Sequence, residues 1–196
     1  SGADIIDLGC PVGMDAGFPG VGEVVRRLKQ HGFTVSLDTF HHETIRRADE
    51  AGLDMLLSVN GTNLHLVPDL SCRVVVIPDF DAGLESLERN IAQLETWGVP
   101  YIIDPIVNPI NFGFAECLQR FYETRQRHPE AEMLMGVANL VELTDADSTG
   151  VNAVMAGFVQ ELGIEYVLMT EVISWARGAV REFDLARKLM HYASRN

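Results

Sequence analysis

Nearly every apolar run in this chain ends on an acidic or amide residue, and that placement constrains the fold more than any other feature. Residues 3–9 (ADIIDLG) carry Asp7, residues 33–39 (FTVSLDT) carry Asp38, and residues 53–61 (LDMLLSVNG) carry Asn60. The series continues with Asp79 in 73–79, Asp104 in 100–105, Asn139 in 131–139 and Glu171 in 164–172. The runs are continuously apolar rather than alternating, which marks strands buried on both faces, as in parallel sheets. Polar groups gathered at the C-terminal ends of such strands line the active face of a parallel sheet or barrel. Each residue alone has a second reading, because Asp and Asn also favour turns and helix N-caps.

Between the runs lie amphipathic segments. Residues 21–31 put Val21, Val24, Val25 and Leu28 on one face, and 82–97 repeats Leu84, Leu87, Ile91 and Leu94 at helical spacing. Residues 42–51, 114–127, 150–162 and 178–193 complete the helices, while 62–70 has room only for a brief one. Gly32, Gly52, Gly98 and Gly163 sit where left-handed C-caps are usual. Strand–helix alternation at roughly 28 residues per unit fits a (β/α)8 barrel or a doubly wound sheet. No G-x-G-x-x-G follows a strand and no Walker A sequence occurs, which counts against dinucleotide and nucleotide binding. Seven units are one short of a TIM barrel. We therefore expect residues 1–196 to be a single barrel domain, a fragment of a longer protein, with the first strand upstream of Ser1. The gap so opened would expose apolar surface, making a second copy of the chain an expected partner.

A net charge of −13 and a pI near 4.7 argue against nucleic acid or an anionic membrane surface as partner. Cys10, Cys72 and Cys117 are odd in number and form no CxxC, so neither a disulfide framework nor a zinc site is indicated, and a reducing cytoplasm suits them. No run is long enough to span a bilayer.

Taken together, the strand-end segments resemble the pterin-binding barrel family of dihydropteroate synthase and the methyltetrahydrofolate methyltransferases. Gly2-Ala3-Asp4-Ile5-Ile6-Asp7-Leu8-Gly9 is similar to the synthase's GADIIDVGG, and Ser36-Leu37-Asp38-Thr39-Phe40 to its S-I-D-T-Y. Ala51-Gly52-Leu53-Asp54, running to Asn60-Gly61, resembles AGAD followed by a strand-end Asn. Ile102-Ile103-Asp104-Pro105, then Phe112-Gly113-Phe114, is similar to I-L-D-P and G-F-G. The resemblance implies a reduced pterin as substrate, with Asp104 accepting from the 2-amino and N3–H groups and Asn60 and Asp38 meeting the ring nitrogens. Phe112 and Gly136 join the pterin site on the same ground. Asp38 and Asn139 are the catalytic candidates that it implies.

The departures are equally definite. Where the synthase carries Ser-Arg-Lys and Arg-x-His after its last two strands, this chain has Asn139-Leu140 and Thr170-Glu171. Such a rim lacks the cations that pyrophosphate departure needs. Arg177 and Arg181, just beyond, read either as substitutes or as solvated helix-start residues. Met135-Gly136-Val137-Ala138-Asn139-Leu140 resembles the methyltransferases' G-G-V-S-N-V, in which the Asn sits by the pterin N5. Residues 140–150 and 170–178 resemble a third branch, the dihydropteroate-synthase-like proteins associated with tetrahydromethanopterin synthesis in archaea and methylotrophic bacteria. That branch implies joining a hydroxymethyl-dihydropterin diphosphate to an arylamine bearing a ribityl or ribosyl group. Methyl transfer to a corrinoid partner, or pterin binding without turnover, are the other readings.

Of the remaining residues, His41-His42 would need Asp79 or Glu171 as a third metal ligand, and adjacent histidines seldom share an ion, so no metal set is assigned. Cys10 has no conspicuous base and reads as a packed residue. Asp145 and Asp147 read as N-caps first and as Mg2+ ligands second, the ion bound to a pyrophosphate leaving group.

Overall fold

A computed structural model describes residues 2–10, 17–80, 82–144 and 148–195. The chain divides into two compact units, Gly2–Ile102 and Ile103–Asn196.

The N-terminal unit alternates strand and helix: β1 (Ile5–Gly9), α1 (Val21–Gln30), β2 (Thr34–Asp38), α2 (His42–Glu50), β3 (Met55–Val59), a 3-10 helix (Leu64–Asp69), β4 (Arg73–Val76) and α3 (Gly83–Trp97), leading into β5 (Tyr101–Ile103). The sheet order is β1-β2-β3-β4-β5, and the β1–β2, β2–β3 and β3–β4 pairings are parallel. Sequential order follows from the connections, since each helix crossover returns the chain beside the strand it left. Val35, Leu37, Leu56, Val74 and Val76 are buried in the sheet, and Val25, Ile45, Leu87, Ile91 and Leu94 are the buried helix stripes that the 3.6-residue period set. The helix α1 packs on α2 and β2, and α3 on β4. At the end of α3, Gly98 adopts the left-handed conformation (φ 68°) that turns the chain into β5. The β3–β4 register shifts between Leu56 and Val59, where Ser58 is left-handed (φ 62°). That irregularity re-aims the end of β3.

The C-terminal unit carries α4 (Phe114–Arg127), β6 (Leu134–Met135), α5 (Ala138–Leu143), α6 (Ser148–Leu162), β7 (Tyr166–Val167), a 3-10 turn (Ser174–Ala176) and α7 (Ala179–Ala193). The strands β6 and β7 pair in parallel, Ile103 bridges Met133, and α6 packs on α7. Arg125 stitches α4 to its surroundings, donating to the carbonyls of Leu162, Pro129, Ala131 and Gly163. No described helix is long and apolar enough to cross a membrane.

Two expectations are corrected. Residues 131–139 are not one strand: the chain leaves β6 after Met135 and coils into α5, whose Leu140 and Val141 are buried. A short buried helix and a buried strand have the same apolar signature, so periodicity cannot separate them. Likewise 164–172 yields only the two-residue β7, prolonged by the Leu168 N–H bonding to the Met135 carbonyl. Among the described residues seven strands form a five-stranded and a two-stranded sheet, with no pairing that closes a barrel.

Leu37 is fully buried at the centre of β2. Leu37→Ala should cost about 2–5 kcal/mol, read as a lower urea midpoint with an unchanged slope.

Candidate functional site

Because β1 to β4 run parallel, their C-terminal ends share one edge of the N-terminal sheet, and the polar residues there are neighbours. Gly9 pairs with Asp38 and Asp7 with Ser36 in the β1–β2 register. The Ser36 hydroxyl donates to Asp7 Oδ1 at 2.6 Å, and the Ser58 hydroxyl to Asp38 Oδ1 at 2.7 Å. The left-handed turn at Ser58 thus places a donor on the candidate pterin carboxylate. Burial raises the pKa of Asp7, the Ser36 hydrogen bond opposes the rise, and the nearby negative charge of Asp38 adds to it. Asp7 was legible as a strand-end acid, but its pairing with Ser36 is a matter of register that sequence alone does not give.

Asn60 is fully buried just beyond β3. Its backbone N–H donates to Asn63 Oδ1, and its own Oδ1 accepts from the Thr62 backbone N–H (3.0 Å) and hydroxyl (2.6 Å). Its carbonyl accepts from Asn63 and Leu64, starting the 3-10 helix. The turn reading of Asn60 is therefore correct, yet it uses only one end of the side chain. The amide nitrogen Nδ2 is buried with no partner among the described residues. Leaving such a donor unpaired costs about 1–3 kcal/mol, and an Asn whose oxygen is fixed by two donors cannot turn it elsewhere.

Asp79 is structural. It accepts from the Gly61 N–H (2.7 Å), from Asn90 Nδ2 (3.0 Å) and from Arg89 (3.1 Å), and these bonds, with Asn90 foremost, hold its pKa down against desolvation. A Cβ at Gly61 would lie 2.9 Å from Asp79 Oδ1, so a larger residue there would have to displace that carboxylate. His41 is committed too, its Nδ1 accepting from the Thr44 N–H to cap α2, while the exposed His42 ring lies edge-on to His65. Burial raises the pKa of Cys10, whose N–H donates to the Asp38 carbonyl, so the thiol is no ready nucleophile. Among the described residues no group of three metal-ligating side chains gathers. Asp145 and Asp147 lie outside the described residues.

In the C-terminal unit, Asp104 follows β5 directly and is buried, its Oδ1 accepting from the Ile106 N–H at 2.8 Å. Asn139 lies on α5 rather than at a strand end, half-buried, with Nδ2 3.4 Å from the Val107 carbonyl. The loop after Asp104 and Asn139 therefore meet within this unit. Gly136 is buried beside Asn139, and a Cβ there would make only an ordinary contact at 3.5 Å. Phe112 is 73% exposed on the loop after β5, its ring available to a ligand rather than to the core. Glu171 belongs to the scaffold, its Oε1 accepting from the Val180 N–H at the start of α7.

No protein-family model matches the chain. A curated relative from Methanocaldococcus jannaschii, the uncharacterized protein MJ0107, is 32% identical over 215 residues, covering all of this chain and 40% of that protein. The chain thus spans about two-fifths of the relative's length. Solved structures resemble it closely in fold. The dihydropteroate synthase of Thermus thermophilus is 19% identical with a TM-score of 0.71, over 96% of this chain and 84% of that one. That of Xanthomonas albilineans, solved with 7,8-dihydropteroate, is 24% identical with a TM-score of 0.65, over 96% and 82%. The Yersinia pestis enzyme, solved with a pterin–sulfa conjugate, is 17% identical with a TM-score of 0.68, over 97% and 84%. The chain has the α/β fold of the dihydropteroate synthases.

The raised pKa of Asp7 has a signed consequence. Ionising Asp7 is harder in the folded than in the unfolded chain, so stability falls as pH rises from the unfolded value near 3.8 through the folded one. Asp7→Asn keeps an oxygen for Ser36 and removes the charge. Urea titrations should show the variant gaining stability over the wild type at neutral pH, with the gain shrinking as pH falls from the folded value of Asp7 towards 3.8 and absent below it.

Proposed function

We propose that this chain binds a reduced pterin at the strand-end carboxyl and amide groups, and that it is a dihydropteroate-synthase-like transferase. The observation that carries the reading is the Asn60 amide, whose oxygen is fully used and whose buried N–H2 group has no acceptor among the described residues. A ring nitrogen of a pterin is an acceptor of the right kind. Asp38, at the end of the neighbouring strand β2 and already holding a donor from Ser58, would supply negative charge toward the same heterocycle. The sequence resemblance adds Asp104, Phe112, Gly136 and Asn139 as pterin contacts. The fold shared with dihydropteroate synthases supports the same assignment.

The reaction proposed is C–N bond formation. The bond between the pterin methylene and its diphosphate breaks, the diphosphate taking the electron pair. The arylamine nitrogen then bonds to the methylene and releases a proton, for which an ionised carboxylate of the Asp7–Asp38 pair is the acceptor. Buried carboxylates stabilise the cationic methylene as it forms. The likeness of residues 140–150 and 170–178 to the tetrahydromethanopterin-associated branch favours an arylamine carrying a ribityl or ribosyl group.

Asn60→Asp tests the reading with little change of shape. The carboxylate still accepts from Thr62 but presents a lone pair where the amide presented a donor. Calorimetric titration with 6-hydroxymethylpterin should show binding to the wild type and an affinity reduced tenfold or more in the variant, the scale of one lost buried hydrogen bond. Equal affinities would contradict the proposal.

A further inference from the structure

Beyond the residues already assigned, the loop leaving β5 contains a side chain in an unfavourable conformation. Ile106 has φ 66°. A β-branched residue in the left-handed region is strained, and strain of this kind persists only where the surroundings hold it. Its N–H is the donor to Asp104 Oδ1. The conformation of Ile106 and the position of the Asp104 carboxyl are therefore one geometric unit.

One side chain does the holding. Arg120, half-buried on α4, donates from Nε to the Pro105 carbonyl at 2.7 Å and from Nη2 to the Ile106 carbonyl at 2.6 Å and to Asn108 Oδ1 at 2.8 Å. The carbonyls on both sides of the strained residue's N–H are thus gripped by one rigid, planar group. Asn108 extends the grip, its N–H donating to Cys117 Sγ and its Nδ2 to the Phe112 carbonyl. The Val107 carbonyl, between the clamped residues, receives Asn139 Nδ2. None of these bonds requires a charged acceptor. An arginine is used here for its fork of donors, which a lysine cannot reproduce.

We infer that Arg120 is a positioning residue: it holds Ile106 left-handed and thereby fixes the Asp104 carboxyl, and with it the Phe112 and Asn139 side of the loop, in the pterin-binding arrangement. The inference rests on the pterin reading for the ligand, but the clamp itself does not.

The test uses the full chain with 6-hydroxymethylpterin as probe, and it includes an arm without ligand. Arg120→Lys keeps the charge and loses the fork. Amide exchange at Ile106 should quicken about tenfold or more as the clamp opens. Pterin affinity should fall about tenfold, and the same change made on top of Asp104→Asn should add less than about twofold, because both act through one carboxyl. Ile106→Gly, introduced into Arg120→Lys, should return affinity to within about threefold of wild type, since glycine takes the left-handed conformation without help. If Arg120→Lys fails to fold, the double variant with Ile106→Gly carries the same comparison. Unchanged exchange at Ile106, an additive loss with Asp104→Asn, or no recovery with Ile106→Gly would each overturn the inference. A wild type that binds no pterin would overturn the proposed function, and the exchange arm would then decide the clamp by itself.

Discussion

A parallel strand cannot return to its neighbour through a tight turn; it must cross over, and in this chain it crosses through helices. That constraint orders everything else in the N-terminal unit. It buries both faces of β2 and β3, which is why these strands are continuously apolar, and it brings every C-terminal strand end to the same edge. Polar residues at those ends need not be close in sequence to be neighbours. Asp7 and Ser36 are 29 residues apart and share a hydrogen bond; Asp38 and Ser58 are 20 apart and do the same. The sheet builds the cluster, and the scaffold acids Asp54 and Asp79 keep the connecting turns in place. Asp54 pairs with Lys29 and accepts from the Val35 N–H, while Asp79 holds the turn after Asn60.

The chemistry of the edge is a contest between desolvation and hydrogen bonding. Asp79, given three donors, stays easily ionised; Asp7, half-buried with one donor and a carboxylate nearby, does not. Asn60 sits at the other limit, half satisfied by design of its own turn. A buried donor left over after the local turn is complete destabilises the free protein and favours whatever ligand supplies an acceptor. Ile106 expresses the same economy through the backbone, its strain held by Arg120.

Much of this was legible in the residues, for identifiable reasons. The helix α4 matches its expected span because its amphipathic stripe is interrupted at both ends, by Gly113 before it and by His128-Pro129 after it. Asp38 and Asp104 fall at the predicted strand ends. The segment 131–139 defeated the reading because Gly-Val-Ala-Asn-Leu is equally apolar as a strand or a buried turn of helix, and only tertiary burial chose α5. Glu171 and Asp79 looked like rim ligands, but Glu171 accepts from the Val180 N–H and Asp79 from Gly61, Asn90 and Arg89, partners that sequence does not reveal. Nothing in the order Asp-Pro-Ile announces a left-handed isoleucine, since a residue of that type is the last expected there. The Arg120 clamp followed only from seeing what that residue is tied to.

On the proposed function, the buried and unpartnered Asn60 amide is the donor reserved for a ligand. Its side-chain N–H2 pair can be observed directly by nitrogen–proton correlation NMR as 6-hydroxymethylpterin is added. The account predicts that one proton of the pair moves downfield and exchanges with water more slowly at saturation, while the Thr62 amide, bonded to the same side chain's oxygen, stays in place. A side-chain pair that does not respond while the pterin binds would place the ligand elsewhere and contradict the account.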